Sequence, residues 1–256
     1  MVRQLLLGLA FLGGAAPGSG VLAEQAAFSR DQAADDFVRA NLIWVFYHEV
    51  GHALIDVLNL PVLGPEESSA DTFAALMIDG LWEETAAVEI AVNTARGFEL
   101  YDADYKNRGF ETSAWDAHGL EMQRYYHLAC LMYGADPVGR DHLIDDLQLP
   151  DDRAGFCADE FLLASDGWRN ALQSMTDTRH TKGLRLIGAS PNDPTAVTIE
   201  AEIANLNQLY RLPEWIEVRI EPCGEPNAFY YEDSRSVTIC TEYADDMLRV
   251  YKESLK

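Results

Sequence analysis

Residues 46 to 56 read FYHEVGHALID, with His48 and His52 four apart and Glu49 directly after the first histidine. Residues four apart on a helix lie on one face, so both imidazoles can direct a ring nitrogen at a single point about 2 Å away, the bonding distance of zinc. Glu49 sits about 100° round the helix from His48, near enough to meet a water at that point without becoming a ligand. Three protein ligands plus water is the usual catalytic zinc arrangement. The chemistry to expect is hydrolysis, with zinc activating water and Glu49 as general base. The pattern is short, and it needs a third ligand.

That ligand is sought in PEESSADTFAAL, residues 65 to 76, where Glu67 and Asp71 are again four apart. The spacing suits a ligand carboxylate with a second acid behind it, holding an imidazole by its other N–H. Glu67 is the expected metal ligand and Glu66 the next candidate. Compensation of a helix dipole, worth about 1 kcal/mol or less, explains acids at a helix start but not the partner four residues on. Gly51 falls mid-helix at a cost of about 1 kcal/mol relative to alanine. A bare backbone there would let another segment approach the metal closely, although a merely tolerated glycine reads almost as well. His118, two residues after Asp116, is the candidate donor to a tetrahedral oxyanion and so the second catalytic residue. The plainer reading makes Asp116 a helix cap and His118 a solvated residue. His127 reads as packed, His142 and His180 as surface positions, and Arg124 as the partner of an acid.

These residues need elements to hold them. Apolar residues recur at helical spacing from Asp35 to Leu60, after a possible capping box at Ser29 and Gln32, and Pro61 stops that helix. Pro65 opens a second helix through about Asp79, with Glu66 and Glu67 in its first turn. Further helices are predicted from Glu83 to about Leu100, from Ala117 to Tyr133 capped by Asp116, near 137 to 147, and from 152 to 174. Pro, Gly, Asn and Asp then cluster, so about 175 to 195 reads as a linker. A helix at about 196 to 210 precedes three β-rich runs, WIEVRIE, NAFYY and SVTIC, separated by turn signals. A last helix closes the chain. The fold class expected is α+β, predominantly helical, with a small antiparallel sheet.

Nineteen basic and 42 acidic residues in 256 leave a net charge of −23. Such a surface repels phosphate backbones and anionic headgroups, so nucleic acid is excluded as a partner. Residues 1–23 read as a signal peptide: Arg3, an apolar run from Leu5 to Ala16, and a Val21-x-Ala23 ending. Cleavage would remove one cation, Arg3, and leave 18 against 42, or −24. The apolar run is shorter than the roughly 20 residues of a membrane span, and glycines interrupt it. Export to the periplasm or beyond, without stable membrane insertion, is therefore expected, with residues 24–256 as one domain. Four cysteines in an oxidising compartment are expected to bridge locally, Cys130 with Cys157 and Cys223 with Cys240.

Four blocks carry a resemblance: FYHEVGHALIDVLNLPVLGPEESSADTFAAL, WDAHGLEMQRYYHLACLMYGADP, LPDDRAGFCADEF and CGEPNAFYYEDSRSVTICTEY. Together they resemble the metallopeptidase family DUF4344 over most of the chain after the leader. The resemblance implies a zincin-like, gluzincin-type domain acting on a peptide or protein substrate. In it His48, His52 and Glu67 hold zinc, Glu49 is the general base, and Asp71 is the supporting acid. The NAFYY block stands last here, whereas the family pattern places it before the histidine helix, so the resemblance implies a circularly permuted block order. NAFYY resembles the edge strand on which zincins commonly lay an extended substrate; an internal strand is the rival reading. Two other functions use the same residues. One is a non-catalytic exported zinc-binding domain, and the other a hydrolase of a non-peptide amide.

Overall fold

The computed structural model describes residues 27–110, 115–176 and 179–256, so the leader expected at residues 1–23 lies outside the described residues. The first helix, α1 (Gln32–Val57), is buried over most of its length. A helix apolar on nearly every side must be packed on every side. Accordingly α1 is wrapped by α2 (Glu66–Leu81), α3 (Glu84–Asn107), α7 (Pro194–Leu209), α8 (Thr241–Glu253) and two strands of the sheet. Asp31 caps α1 by accepting from Ala33 N–H, in place of the box expected from Ser29 and Gln32.

The helix α4 (Glu121–Ala135) packs on α3 and α6 (Asp151–Leu172), with the short α5 (Leu143–Asp146) between α4 and α6 in the chain. Its start lies later than the sequence pattern suggests. Gly119 interrupts the helical run, and the Gln123 side chain accepts from Leu120 N–H, which sets the first turn at Glu121. Asp116 therefore caps no helix; its carboxylate accepts from His118 N–H at 3.0 Å and shapes the loop.

The sheet is mixed rather than antiparallel. Its strands, β1 (Leu184–Ile187), β2 (Ile216–Glu221), β3 (Ala228–Tyr231) and β4 (Ser236–Cys240), lie in the order β1-β2-β4-β3. β1 occupies part of the expected linker, where four residues between Gly183 and Gly188 carry too little pattern to stand out from the turn signals. α7 is the crossover from β1 to β2, and a crossover returns a strand parallel. β2 and β4 are also parallel, and only β3 and β4, joined by a tight turn, are antiparallel. β4 is buried at every position, and β3 lies at the sheet edge beside α1.

Both expected disulfides form, Cys130 with Cys157 and Cys223 with Cys240. The first clamps α4 to α6 where the helices meet so closely that a Cβ on Gly134 would lie 2.1 Å from the Cys157 carbonyl oxygen. The second ties the end of β4 to the loop after β2. Buried apolar side chains from α1 through α8 and the sheet join in one cluster. Among the described residues no helix is long and apolar enough to cross a membrane.

Candidate metal centre

The predicted residues meet in a cleft of about 700 Å³, lined by His48, Glu49, His52, Glu66, Glu67 and His118 among others. α1 supplies the first three and α2 the next two. The turn at residues 58–65 folds α2 back along α1, and Gly51 permits the close approach. A Cβ on Gly51 would stand 3.0 Å from Ala70 Cα and 3.3 Å from Ala70 Cβ, so the bare backbone here serves the packing of α2 on α1, and a side chain would press Ala70 outward by a few tenths of an ångström.

Three atoms form a nearly equilateral triangle. His48 Nε2 and Glu67 Oε2 are 3.2 Å apart, His52 Nε2 and Glu67 Oε2 3.3 Å, and the two Nε2 atoms 3.3 Å. Ligand atoms on a tetrahedron with bonds of 2.0–2.1 Å stand about 3.3–3.4 Å apart, so the spacing fits a zinc-sized ion. The chemistry of the acid agrees: Glu67 Oε2 is buried and meets no donor among the described residues at a hydrogen-bonding angle, although three imidazole nitrogens surround it. A buried carboxylate oxygen left in that condition calls for a cation.

The far side of each imidazole is occupied. His48 Nδ1 lies 2.7 Å from Asp71 Oδ1, and His52 Nδ1 lies 2.7 Å from Glu66 Oε1. A proton on each Nδ1 makes these charge-assisted bonds and leaves Nε2 with its lone pair facing the triangle. Glu66, the second candidate for the third ligand, thus supports His52 from behind. Asp71 is itself gripped by Arg124, whose Nε and guanidinium NH2 group donate to its two oxygens at 2.9 and 2.7 Å. The acid that Arg124 pairs with is set by packing between α2 and α4, and no spacing in the sequence indicates it.

The electrostatics follow. Burial works against charge on His48, but the hydrogen-bonded Asp71 carboxylate and the adjacent Glu67 carboxylate outweigh it and push its pKa up to about 9 in the metal-free protein. Burial likewise opposes ionisation of Glu67, and the imidazoles of His118, His48 and His52 overcome it, holding the carboxyl well below the usual range. Burial pushes Glu49 up, with the neighbouring imidazoles opposing. Glu49 is 7% exposed, and no donor among the described residues bonds to its carboxylate.

His118 Nε2 lies 2.9 Å from Glu67 Oε2, and the ring stacks 6.0 Å from that of His48. Its Nδ1 is 3.7 Å from Asp116, too far for the carboxylate to orient the ring by a hydrogen bond. Of the remaining histidines, His127 packs against Thr72 at 2.9 Å, His142 is exposed and His180 is half-buried. β3 also lines the cleft, through Ala228, Phe229 and Tyr230. Tyr230 donates to Asp56 at 2.6 Å and ties that strand to the end of α1.

Two imidazoles and a carboxylate, converging from adjacent helices of a helix-rich α+β domain, define a protein with a group suited to hold a metal ion. The chain belongs to the DUF4344 family, described as "Putative metallopeptidase", which matches residues 19–172 and 194–256. The residues between the two matched stretches lie within the interval that contains β1. No curated protein and no solved structure matches the chain.

Proposed function

We propose that this protein is an exported zinc metallopeptidase of gluzincin type, with His48, His52 and Glu67 as the ligands and Glu49 as the general base. The observation that carries the reading is the triangle of Nε2, Nε2 and Oε2 atoms 3.2–3.3 Å on a side. Zinc held there supplies Lewis acidity, acidifying water toward a pKa of about 7 and polarising a carbonyl.

The chain's own groups do the rest. Glu49, lining the cleft and unclaimed by any donor among the described residues, takes a proton from the attacking water and returns it to the leaving amine. Its burial favours the first transfer, because a raised pKa makes the carboxylate a stronger base toward water. His118, on the loop before α4, donates from its ring to the developing oxyanion. An extended peptide lies along the free edge of β3, bonded through its backbone, which requires no particular sequence. The two disulfides support export.

Casein hydrolysis by the metal-loaded protein, with and without chelator, tests the reading together with Glu49→Gln. The variant should retain its metal and lose activity by about 10²–10⁴-fold. A metal-loaded protein that cleaves no casein would count against a peptidase, and full biological activity in E49Q would point to a binding module.

A further inference from the structure

The cleft that holds the metal triangle is lined by aromatic rings as well, and these make up its aromatic recess. Trp44 of α1 and Phe98, Tyr101 and Tyr105 of α3 line it, and the carboxylate of Glu121, the first residue of α4, stands among them. Tyr101 and Tyr105 stack with centroids 5.9 Å apart, and Trp44 meets Phe98 edge-on at 5.5 Å. The face of Phe98 is taken by Arg124 at 4.8 Å and Trp44 is buried, which leaves the rings of Tyr101 and Tyr105 to meet an entering group.

Glu121 is the group in this recess whose chemistry is unspent. Among the described residues it has no ion pair, and its carboxylate accepts no hydrogen bond. Arg124, one turn further along α4, is committed to both oxygens of Asp71. Burial raises the Glu121 pKa and outweighs the opposing charges of Arg124 and His118, so enclosure with no direct ion pair among the described residues costs this carboxylate free energy. A cation entering the recess would remove that cost. Aromatic walls suit a cation in the same way, since ring faces attract ammonium and guanidinium groups and the aliphatic stems of such side chains cover apolar surface.

We propose that this recess binds the side chain of a lysine or arginine in the peptide substrate, with Glu121 as its counter-charge, so that Glu121 determines specificity. The proposal rests on the metallopeptidase reading. It concerns binding, however, and can fail or stand apart from turnover.

Calorimetric binding to metal-loaded E49Q protein, which holds peptide without consuming it, provides the test. The probes are decapeptides blocked at both ends and identical except for one central residue: lysine, arginine, norleucine or glutamate. Lysine and arginine peptides should bind at least tenfold more tightly than the norleucine and glutamate peptides. Adding Glu121→Gln should cut the lysine-to-norleucine ratio below threefold. Should the double variant not fold, the ratio measured on the E49Q protein decides alone. A lysine-to-norleucine ratio near one, a preference for norleucine, a ratio that survives E121Q, or no binding of any peptide overturns the proposal. A norleucine peptide with a free N-terminus that binds as tightly as the blocked lysine peptide also overturns it, since the recess would then read a terminal ammonium. Chelator-sensitive casein cleavage without lysine preference removes this proposal and leaves the peptidase; lysine preference without casein cleavage does the reverse.

Discussion

Asp71 Oδ1 lies 2.7 Å from His48 Nδ1, and the same carboxylate is clamped by Arg124 from α4, so the orientation of a metal-facing imidazole depends on three helices at once. Asp71→Asn keeps the shape and removes the charge that holds both partners. Supporting acids of this kind are worth about 10–100-fold in metal affinity. Competition with a chromophoric chelator should show a weakening in that range. Asp71→Ala should cost about 3–5 kcal/mol in urea unfolding as well, because it leaves Arg124 without its counter-charge in a buried site.

Metal should stabilise the fold, since its ligands come from two helices that must be packed to bind it. Binding to the native state alone adds about 2.7 kcal/mol when free ligand is a hundredfold above Kd. Titration with zinc should raise the Tm, excess chelator should reverse the rise, and His52→Ala should abolish it. An unchanged Tm at saturating zinc would argue against the triangle as a metal site.

Two glycines on adjacent helices should respond in opposite directions. Gly51→Val drives methyl groups into the backbone of α2, already 3.0 Å from an added Cβ, and should cost about 1–3 kcal/mol while weakening metal binding by displacing Glu67. Gly80, on the exposed side of α2, has nothing within 4 Å of an added Cβ. Gly80→Ala should therefore stabilise the protein by about 0.5–1 kcal/mol, through helix propensity alone. Denaturant midpoints of the two variants check both.

His127 sets part of the acid sensitivity. Burial lowers its pKa, and the nearby charges of Arg153 and Arg124 add to this against the pull of Asp71 and Glu160. With the folded pKa below the unfolded value of about 6.5, the unfolded chain binds the proton first as pH falls. Stability contributed by neutral His127 is thus present above about pH 6.5 and declines below it. In paired urea melts between pH 7.5 and 5, His127→Gln should flatten that decline relative to the wild type.

The Cys130–Cys157 bridge closes a sequence separation of 27 residues and should contribute about 3 kcal/mol by restricting the unfolded chain. Comparing Cys130→Ser/Cys157→Ser with the parent in urea should show the loss as a lower midpoint with the metal site still competent, since neither cysteine lines the cleft.

The candidate site was largely legible because its chemistry is local. Four-residue spacing on a helix carries His48 with His52, and Glu67 with Asp71, and proline and acidic signals mark where α2 begins. Periodicity also revealed the long helices, since a packed helix must repeat its apolar face. What went unread depends on residues distant in the chain. The four residues of β1 could not be told from a loop, because a short strand is stabilised by its neighbour β2 and by α7 rather than by its own composition. The parallel pairing of β2 with β4 was likewise hidden, as nothing in three successive β-rich runs states that the second will lie outside the third.

By itself, then, the sequence determined which side chains could bind a metal and which helices would carry them, since both follow from spacing along one helix. Tertiary packing alone decided that α2 would approach α1 closely enough at Gly51 to complete the triangle. It decided also that Arg124 would claim Asp71, that Glu66 would back His52, and that Glu121 would be half-buried with no ion pair among the described residues. Each of those outcomes depends on distances between helices, and such distances are set by how side chains of many residues fill the space between them.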